Sequence, residues 1–224
     1  MTGVVLVHGL WHGPQHFDPV ARELRDRGIT VAVPELHRGS LHADTEVVQA
    51  AVDGMSEPPL VLGHSYGGSV ITGLAGTGGL VYLAAFVLAE GESVAGLRAT
   101  TPALNSAVTR REDGATQLDP AKAADALYAD CSADSAAWAV ARLRPQRPEV
   151  TKGVPRRHAW RETPSTYVVC AEDQAVSPDR QREMAERCAA TRVWPTGHSP
   201  FLSRPDLVVE LITESLDDQA RNRA

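Results

Sequence analysis

The apolar run Leu60-Val61-Leu62 passes straight into Gly63-His64-Ser65-Tyr66-Gly67-Gly68, so a G-x-S-x-G pattern falls where a buried strand should turn sharply into a helix. Gly63 and Gly67 keep side-chain bulk away from the strained backbone around the serine and let a helix pack close behind it. A bend this tight holds the Ser65 hydroxyl clear of the sheet. The pentapeptide alone is a weak signal, because a Gly-rich turn after a strand is usually only a turn. The strand before it gives it weight.

The rest of the chain supplies the frame that such a bend needs. Gly3 to His8 is an apolar run ending at Gly9; Phe17, Val20, Ala21 and Leu24 follow at helical spacing, and Ile29 to Val33 then ends at Pro34. That order reads β, α, β. A second helix carries Val47, Val48, Ala51, Val52 and Met55 on one face, with Asp44 or Thr45 expected as its N-cap. After the bend, a helix from about Gly67 to Ala75 leads to Leu80-Val81-Tyr82-Leu83-Ala84-Ala85, a continuous apolar run of the kind that a sheet covered on both faces requires.

From about Phe86 to Pro164 the alternation stops. Helix-like stretches run from Pro120 to Tyr128, with Asp119 as cap, and from about Ser135 to Leu143, while Pro145, Pro148 and Pro155 break up the chain beyond them. Strand, helix and strand resume with Thr166 to Cys170, a helix opened by Ser177-Pro178-Asp179, and Arg192 to Trp194. A last helix buries Leu207, Val208, Leu211 and Ile212, and the polar tail after Asp217 is expected to fray. The expectation is an α/β fold, a mostly parallel sheet of about six strands flanked by helices. Residues 1–86 and 165–224 form this core, and 87–164 are inserted as a small helical lid.

A chain of 224 residues suits one domain with an insertion. Its formal net charge of -6 argues against nucleic acid or an anionic membrane as a main partner, and a small, mostly uncharged molecule fits better. Cys131, Cys170 and Cys188 show neither C-x-x-C nor metal spacing, so they read as reduced and structural. The first residues have no basic region, and their apolar run is too short for a signal peptide or a membrane span, so a cytoplasmic location is expected. Oligomeric state is not legible, and a homodimer stays open.

Two further residues stand where parallel strands end: Asp173, just past Tyr167-Val168-Val169-Cys170, and His198, in Thr196-Gly197-His198-Ser199-Pro200 after Arg192-Val193-Trp194. The carboxyl ends of parallel strands share one edge, so loops distant in sequence can converge there around one substrate. A serine hydroxyl is a poor nucleophile at neutral pH and needs a base within reach, which His198 would supply. The Asp173 carboxylate would hold the imidazole tautomer, with Glu172 as the rival acid. Negative charge on a tetrahedral intermediate must meet N–H donors. The bend offers the Tyr66 amide, and the loop His8-Gly9-Leu10-Trp11-His12-Gly13 offers a second, assigned to Leu10.

His8 and His12 are four apart, but Gly9 and Gly13 mark that stretch as loop, and no H-x-x-x-H pair shares a helix with a carboxylate. No metal and no cofactor is expected. His8, His12 and His64 are read as groups that hydrogen-bond backbone and shape loops around the serine, and His37, His42 and His158 as solvated. Trp11, His12, Phe86, Trp138 and Trp160 are the candidates to line a substrate pocket, although tryptophans also pack in cores and under lids.

Val7 to Gly13, Gly63 to Gly68, Val81 to Phe86, Cys170 to Asp173 and Gly197 to Pro200 together resemble the α/β-hydrolases grouped with plant methylesterases and hydroxynitrile lyases, above all their bacterial esterase-like members. The order serine, acid, histidine is also that of the α/β-hydrolases. The resemblance spans nearly the whole chain outside the lid. It implies the α/β-hydrolase fold, a triad of Ser65, Asp173 and His198, and an oxyanion hole formed by the Leu10 and Tyr66 amides. The lyases resemble one another in having threonine where Leu10 stands and lysine where Ser199 stands. Without that ammonium no group would stabilise a departing cyanide.

The expected activity is that of a serine esterase, cleaving a small-molecule carboxylic ester through an acyl-serine that water then hydrolyses. Alternatives are the same triad used for lactone or thioester cleavage or for a biosynthetic cyclisation, a hydroxynitrile lyase, and a ligand-binding receptor with little turnover. The lid departs most from the family pattern, so the sequence does not fix the substrate.

Overall fold

The structure, a computed structural model, describes residues 3–36 and 39–223. The first half alternates as expected: β1 (Gly3–Val7), α1 (Asp18–Asp26), β2 (Thr30–Ala32), α2 (Leu41–Asp53), β3 (Leu60–His64), α3 (Tyr66–Thr72) and β4 (Gly79–Leu83). Then come α4 (Val94–Leu97), α5 (Pro102–Ala107), β5 (Val108–Arg110), β6 (Thr116–Leu118), α6 (Pro120–Leu127) and α7 (Ala133–Val140). The alternation returns with β7 (Ser165–Cys170), α8 (Pro178–Ala185), β8 (Ala190–Trp194), α9 (Pro200–Ser203) and α10 (Pro205–Arg223). The main sheet has six strands in the order β2-β1-β3-β4-β7-β8, all parallel.

Period-2 alternation divides each strand between two apolar layers. Val5, Val7, Val61, Tyr82, Tyr167 and Val169 pack with Val48, Val52, Val70, Ile71, Met184 and Ala185 from α2, α3 and α8. Val4, Leu6, Leu62, Val81, Val168 and Cys170 face α1 and α10 through Val20, Leu24, Val208, Leu211 and Ile212. Every residue of β1, β3 and β4 is therefore buried. This is why those segments are apolar runs rather than alternating ones.

Four expectations are corrected. The N-cap of α2 is Ser40, whose hydroxyl accepts from the Ala43 N–H, so neither Asp44 nor Thr45 caps it. The helix begins a turn earlier, and Asp44 lies buried inside it and accepts from the Tyr66 hydroxyl at 2.8 Å. The tail after Asp217 continues as helix to Arg223, with Arg221 paired to Asp218 one turn back. The inserted segment also holds an antiparallel hairpin of β5 and β6, in which Val108 pairs with Leu118. Its turn signal was in the sequence, Asp113-Gly114, with Gly114 at φ +81°. His158 is half-buried, its Nε2 shielded and its ring edge-on to Trp160, so it is not solvated. His42 is exposed and pairs with Glu46, while His37 lies outside the described residues.

Cys131, Cys170 and Cys188 are free. Burial pushes the Cys188 thiol up to about 11 and the Cys131 thiol up to about 12, so neither is a ready nucleophile at neutral pH. No helix among the described residues is long and apolar enough to cross a membrane.

Candidate active site

Three adjacent strands end in strained backbone at one edge of the sheet. Trp11 after β1, Ser65 after β3 and Ala84 after β4 have φ of 60°, 54° and 46°. A non-glycine residue in such a conformation costs about 1–3 kcal/mol and persists only where its surroundings hold it. At Ser65 they do: its N–H donates to the Leu83 carbonyl at 3.2 Å, and its carbonyl accepts from Gly68 and Phe86 at 3.0 and 3.1 Å. Ser65 itself is half-buried.

The bend is also nested against β1. A Cβ on Gly67 would stand 2.5 Å from the Val7 carbonyl oxygen and 2.9 Å from that of His8, and one on Gly63 would stand 2.7 Å from the Gly67 oxygen. These neighbours are backbone and cannot swing aside. Gly67→Ala is expected to cost about 3 kcal/mol through overpacking, read from urea denaturation. A loss under about 1 kcal/mol would show that β1 yields freely. On the other side, a Cβ on Gly9 would come within 2.9 Å of the Ser65 Cβ. The loop after β1 therefore lies directly over the serine.

His198 follows β8 and Asp173 follows β7, and the structure brings the two together. His198 Nδ1 donates to Asp173 Oδ2 at 2.7 Å, with both side chains sealed from solvent. Glu172 points into solvent. The other carboxylate oxygen, Oδ1, accepts the Ala175 and Val176 amides at 2.6 and 2.9 Å. Gln181 from α8 adds a donor to Oδ2 at 2.8 Å. The His198 loop is fastened from two sides. His64, the residue before Ser65, donates from Nε2 to the His198 carbonyl at 2.9 Å, and Asp130 from the inserted segment accepts the Gly197 N–H at 2.8 Å.

Four imidazoles form a row of rings: His16 and His12 have centroids 4.7 Å apart, His12 and His64 5.5 Å, and His64 and His198 4.5 Å. Partners and burial together leave His16, His12 and His64 as neutral rings. His12 donates from Nδ1 to the Leu10 carbonyl and accepts the Tyr128 hydroxyl at Nε2, at 2.9 and 3.0 Å. His16 donates from Nε2 to the Ala139 carbonyl, and its Nδ1 lies 3.1 Å from both the N–H and the carbonyl of Gly13. His64 uses Nε2 as above and leaves Nδ1 buried without a partner. Burial holds all three below the ordinary imidazole value, well below for His12 and His64, and neighbouring imidazoles add to the effect on those two. His8 bonds the Gly9 carbonyl and the Leu36 N–H. Among the described residues no group of three or more His, Cys, Asp or Glu side chains is placed to hold a metal ion.

The Tyr66 N–H opens α3, where no carbonyl of the helix can reach it. Its side chain is a buried anchor on Asp44. Leu10 is half-buried between the core and the inserted segment. Trp11 packs among residues of that segment and donates to the Thr116 hydroxyl at 3.2 Å, while its carbonyl accepts from Arg144. Phe86 lies in the core. Trp138 is stacked under Arg142, lies edge-on to His16 and borders a cleft of about 440 Å³ with Asp18, Arg22 and Leu202. Trp160 donates to the Leu88 carbonyl and carries Arg161 over its ring.

A sequence model described as the alpha/beta hydrolase family matches residues 4–211. The chain belongs to the alpha/beta hydrolases. This hydrolase is 33% identical, in an alignment 243 positions long that covers 93% of its length and 94% of the relative's, to alpha/beta hydrolase nvfD of Aspergillus novofumigatus (strain IBT 16806). It is 36% identical, in an alignment 115 positions long that covers 43% of its length and 47% of the relative's, to a carbendazim hydrolyzing esterase of Nocardioides sp. (strain SG-4G). Among solved structures, a pyrethroid hydrolase from Sphingobium faniae JZ-2 superposes with TM-score 0.84 at 23% identity over 98% of this chain and 99% of that one. The methylesterase MES16 from Arabidopsis superposes with TM-score 0.80 at 16% identity over 97% and 99%. At these identities the structures share the fold, and they include the methylesterase group that the motifs resemble.

Sequence reasoning did not single out Gln181, Asp130, Tyr128 or His16. For Gln181 a signal existed, since it falls on the buried stripe of α8 with Met184 and Ala185, where an apolar residue would be ordinary. For Asp130 and Tyr128 there was none, because their partners lie on loops far away in the chain.

Proposed function

We propose that this hydrolase cleaves a small-molecule carboxylic ester with Ser65 as nucleophile, His198 as general base and acid, and Asp173 as the carboxylate that orients the imidazole. The observation that carries the reading is the solvent-sealed bond from His198 Nδ1 to Asp173 Oδ2, which leaves Nε2 as the nitrogen free to take a proton. The fastening of the His198 carbonyl by His64, one residue from Ser65, supports it. Ser65 Oγ would attack the ester carbonyl while its proton passes to His198 Nε2. The backbone N–H groups of Leu10 and Tyr66 would receive the developing oxyanion, each such donor being worth about 3 kcal/mol. The alcohol leaves with the proton from His198, and a water activated by the same nitrogen releases the acid. The chemistry needs no cofactor.

Trp11, His12, Phe86, Trp138 and Trp160 remain the proposed lining of the pocket, under residues 87–164 as a lid. Three unpaired cysteines suit a reducing cytoplasm. Against cyanohydrin cleavage stand Leu10, which carries no hydroxyl, and Ser199, a fully buried residue that carries no ammonium.

A fluorophosphonate probe followed by mass spectrometry should label Ser65, and a panel of p-nitrophenyl esters should turn over in the wild type alone when it is compared with Ser65→Ala. Labelling without turnover would favour the cyclisation or receptor reading. Label on another residue, or cyanide released from mandelonitrile, would overturn the proposal.

A further inference from the structure

The helix α8 is polar along most of its length, yet Gln181 is completely buried and every polar atom of its amide is engaged. Its Oε1 accepts the Cys170 N–H at 2.9 Å, and its Nε2 donates to Asp173 Oδ2 at 2.8 Å and to the Val176 carbonyl at 2.9 Å. The Cys170 N–H decides which way the amide faces, because a flipped amide would set donor against donor there and acceptor against acceptor at Asp173. A donor is thus aimed at the same carboxylate oxygen that receives His198, 2.7 Å away. With the Ala175 and Val176 amides on Oδ1, the carboxylate accepts four hydrogen bonds, and turning it would break all of them.

We infer that Gln181 is a positioning residue of the catalytic centre, which locks the Asp173 carboxylate toward His198 and tempers the charge that it presents to the imidazole. The inference rests on the triad proposed above. The locking is geometric. The tempering is electrostatic, because the positive end of the amide dipole shares Oδ2 with the ring and so limits how strongly the carboxylate favours imidazolium. The ionisable side chains packed on this pair are the Cys170 thiol, the Tyr167 phenol and the His64 imidazole, all uncharged at neutral pH, while the Asp130 carboxylate accepts the N–H of Gly197 beside His198 and is the same in every variant tested. Burial pushes the Cys170 thiol and the Tyr167 phenol up, and it holds His64, beside the His198 ring, below its ordinary value. Of the two side chains bonded to Oδ2, His198 and Gln181, the Gln181 amide is the one that can be removed without adding or removing an ionisable group.

Gln181→Leu removes the donor at nearly constant volume, and Gln181→Glu keeps the shape. For a p-nitrophenyl ester, kcat/KM should fall roughly 10- to 100-fold in Gln181→Leu, mainly in kcat. The midpoint of the acid limb should move up by about half a pH unit or more, since more of the carboxylate's charge then reaches the imidazole. Gln181→Glu should recover much of the loss at low pH, where one proton is held between two adjacent carboxyls, and should lose activity as rising pH removes it.

The readout independent of turnover is the low-field Nδ1–H proton resonance of His198, followed in the Ser65→Ala background. Its titration midpoint should move up when Gln181→Leu is added. An acid limb and a resonance that both stay in place would overturn the role of Gln181 while leaving the triad intact. Undiminished activity in Ser65→Ala, or no such resonance in it, would overturn the triad itself. If Gln181→Leu does not fold, the descending limb of Gln181→Glu decides, and its absence counts against the inference.

Discussion

Ser65→Ala should lower kcat/KM for an ester by roughly 10⁴- to 10⁶-fold, and His198→Ala by a similar factor. Such a loss corresponds to about 5–8 kcal/mol of transition-state stabilisation. In the proposed triad the hydroxyl and the imidazole act as one unit, since an alcohol without a base is a poor nucleophile and a base without the alcohol has nothing to activate. The double variant should therefore be no slower than the worse single one. What remains would come from the Leu10 and Tyr66 N–H groups and from substrate binding, which neither substitution touches. Stability should change little in Ser65→Ala, because Ser65 is half-buried and the hydrogen bonds that hold the bend run through its backbone atoms. Additive losses in the double variant, or most of the activity surviving in either single one, would sink the assignment.

Acid should unfold this protein earlier than its carboxylates alone would dictate. His12, His16 and His64 are buried, bonded as neutral rings, and held below the ordinary imidazole value of 6.5. In the unfolded chain each takes up a proton near that value, so between it and the lower folded values the unfolded state binds more protons. Stability is therefore flat above about pH 7 and falls as the pH drops through 6.5. The slope is at most about 1.4 kcal/mol per pH unit for each ring, or ~4 kcal/mol per unit for three. Urea midpoints measured from pH 8 to 5 should hold steady and then drop steeply below 6.5. A substitution such as His12→Gln, which keeps a polar group but cannot be protonated, should reduce that slope. A midpoint constant down to pH 5 would mean that these rings are not buried and neutral as described. The row ends on the His198 ring, so the same acidification would spoil the geometry proposed for ester cleavage as the fold loosens.

The strand and helix pattern was legible because a doubly covered parallel sheet writes itself as short apolar runs, and β1, β3, β4 and β7 all stand within a residue or two of where those runs suggest. The bend at Ser65 was legible for a local reason, since Gly67 permits its close approach to Val7 and His8 and Gly63 leaves room for the Gly67 backbone. Structure departs from the sequence pattern where two local signals compete or where burial depends on distant partners. Ser40 outcompeted Asp44 as a cap because Asp44 is taken inward by the Tyr66 hydroxyl. The β5–β6 hairpin was hidden by short, polar strands whose Asp113-Gly114 turn was the one clear mark.

The residues alone determined the sheet, its parallel sense, and hence that the segments ending at Ser65, Asp173 and His198 emerge at one edge, because strand order and period are properties of neighbouring residues along the chain. Tertiary structure decided which carboxyl meets His198, which tautomers the buried imidazoles adopt, and that Gln181 fastens the Asp173 loop and Asp130 the His198 loop. Those outcomes turn on desolvation: a buried donor or acceptor must find its partner among whatever groups the packed elements bring beside it, and in this fold they come from segments up to more than a hundred residues apart.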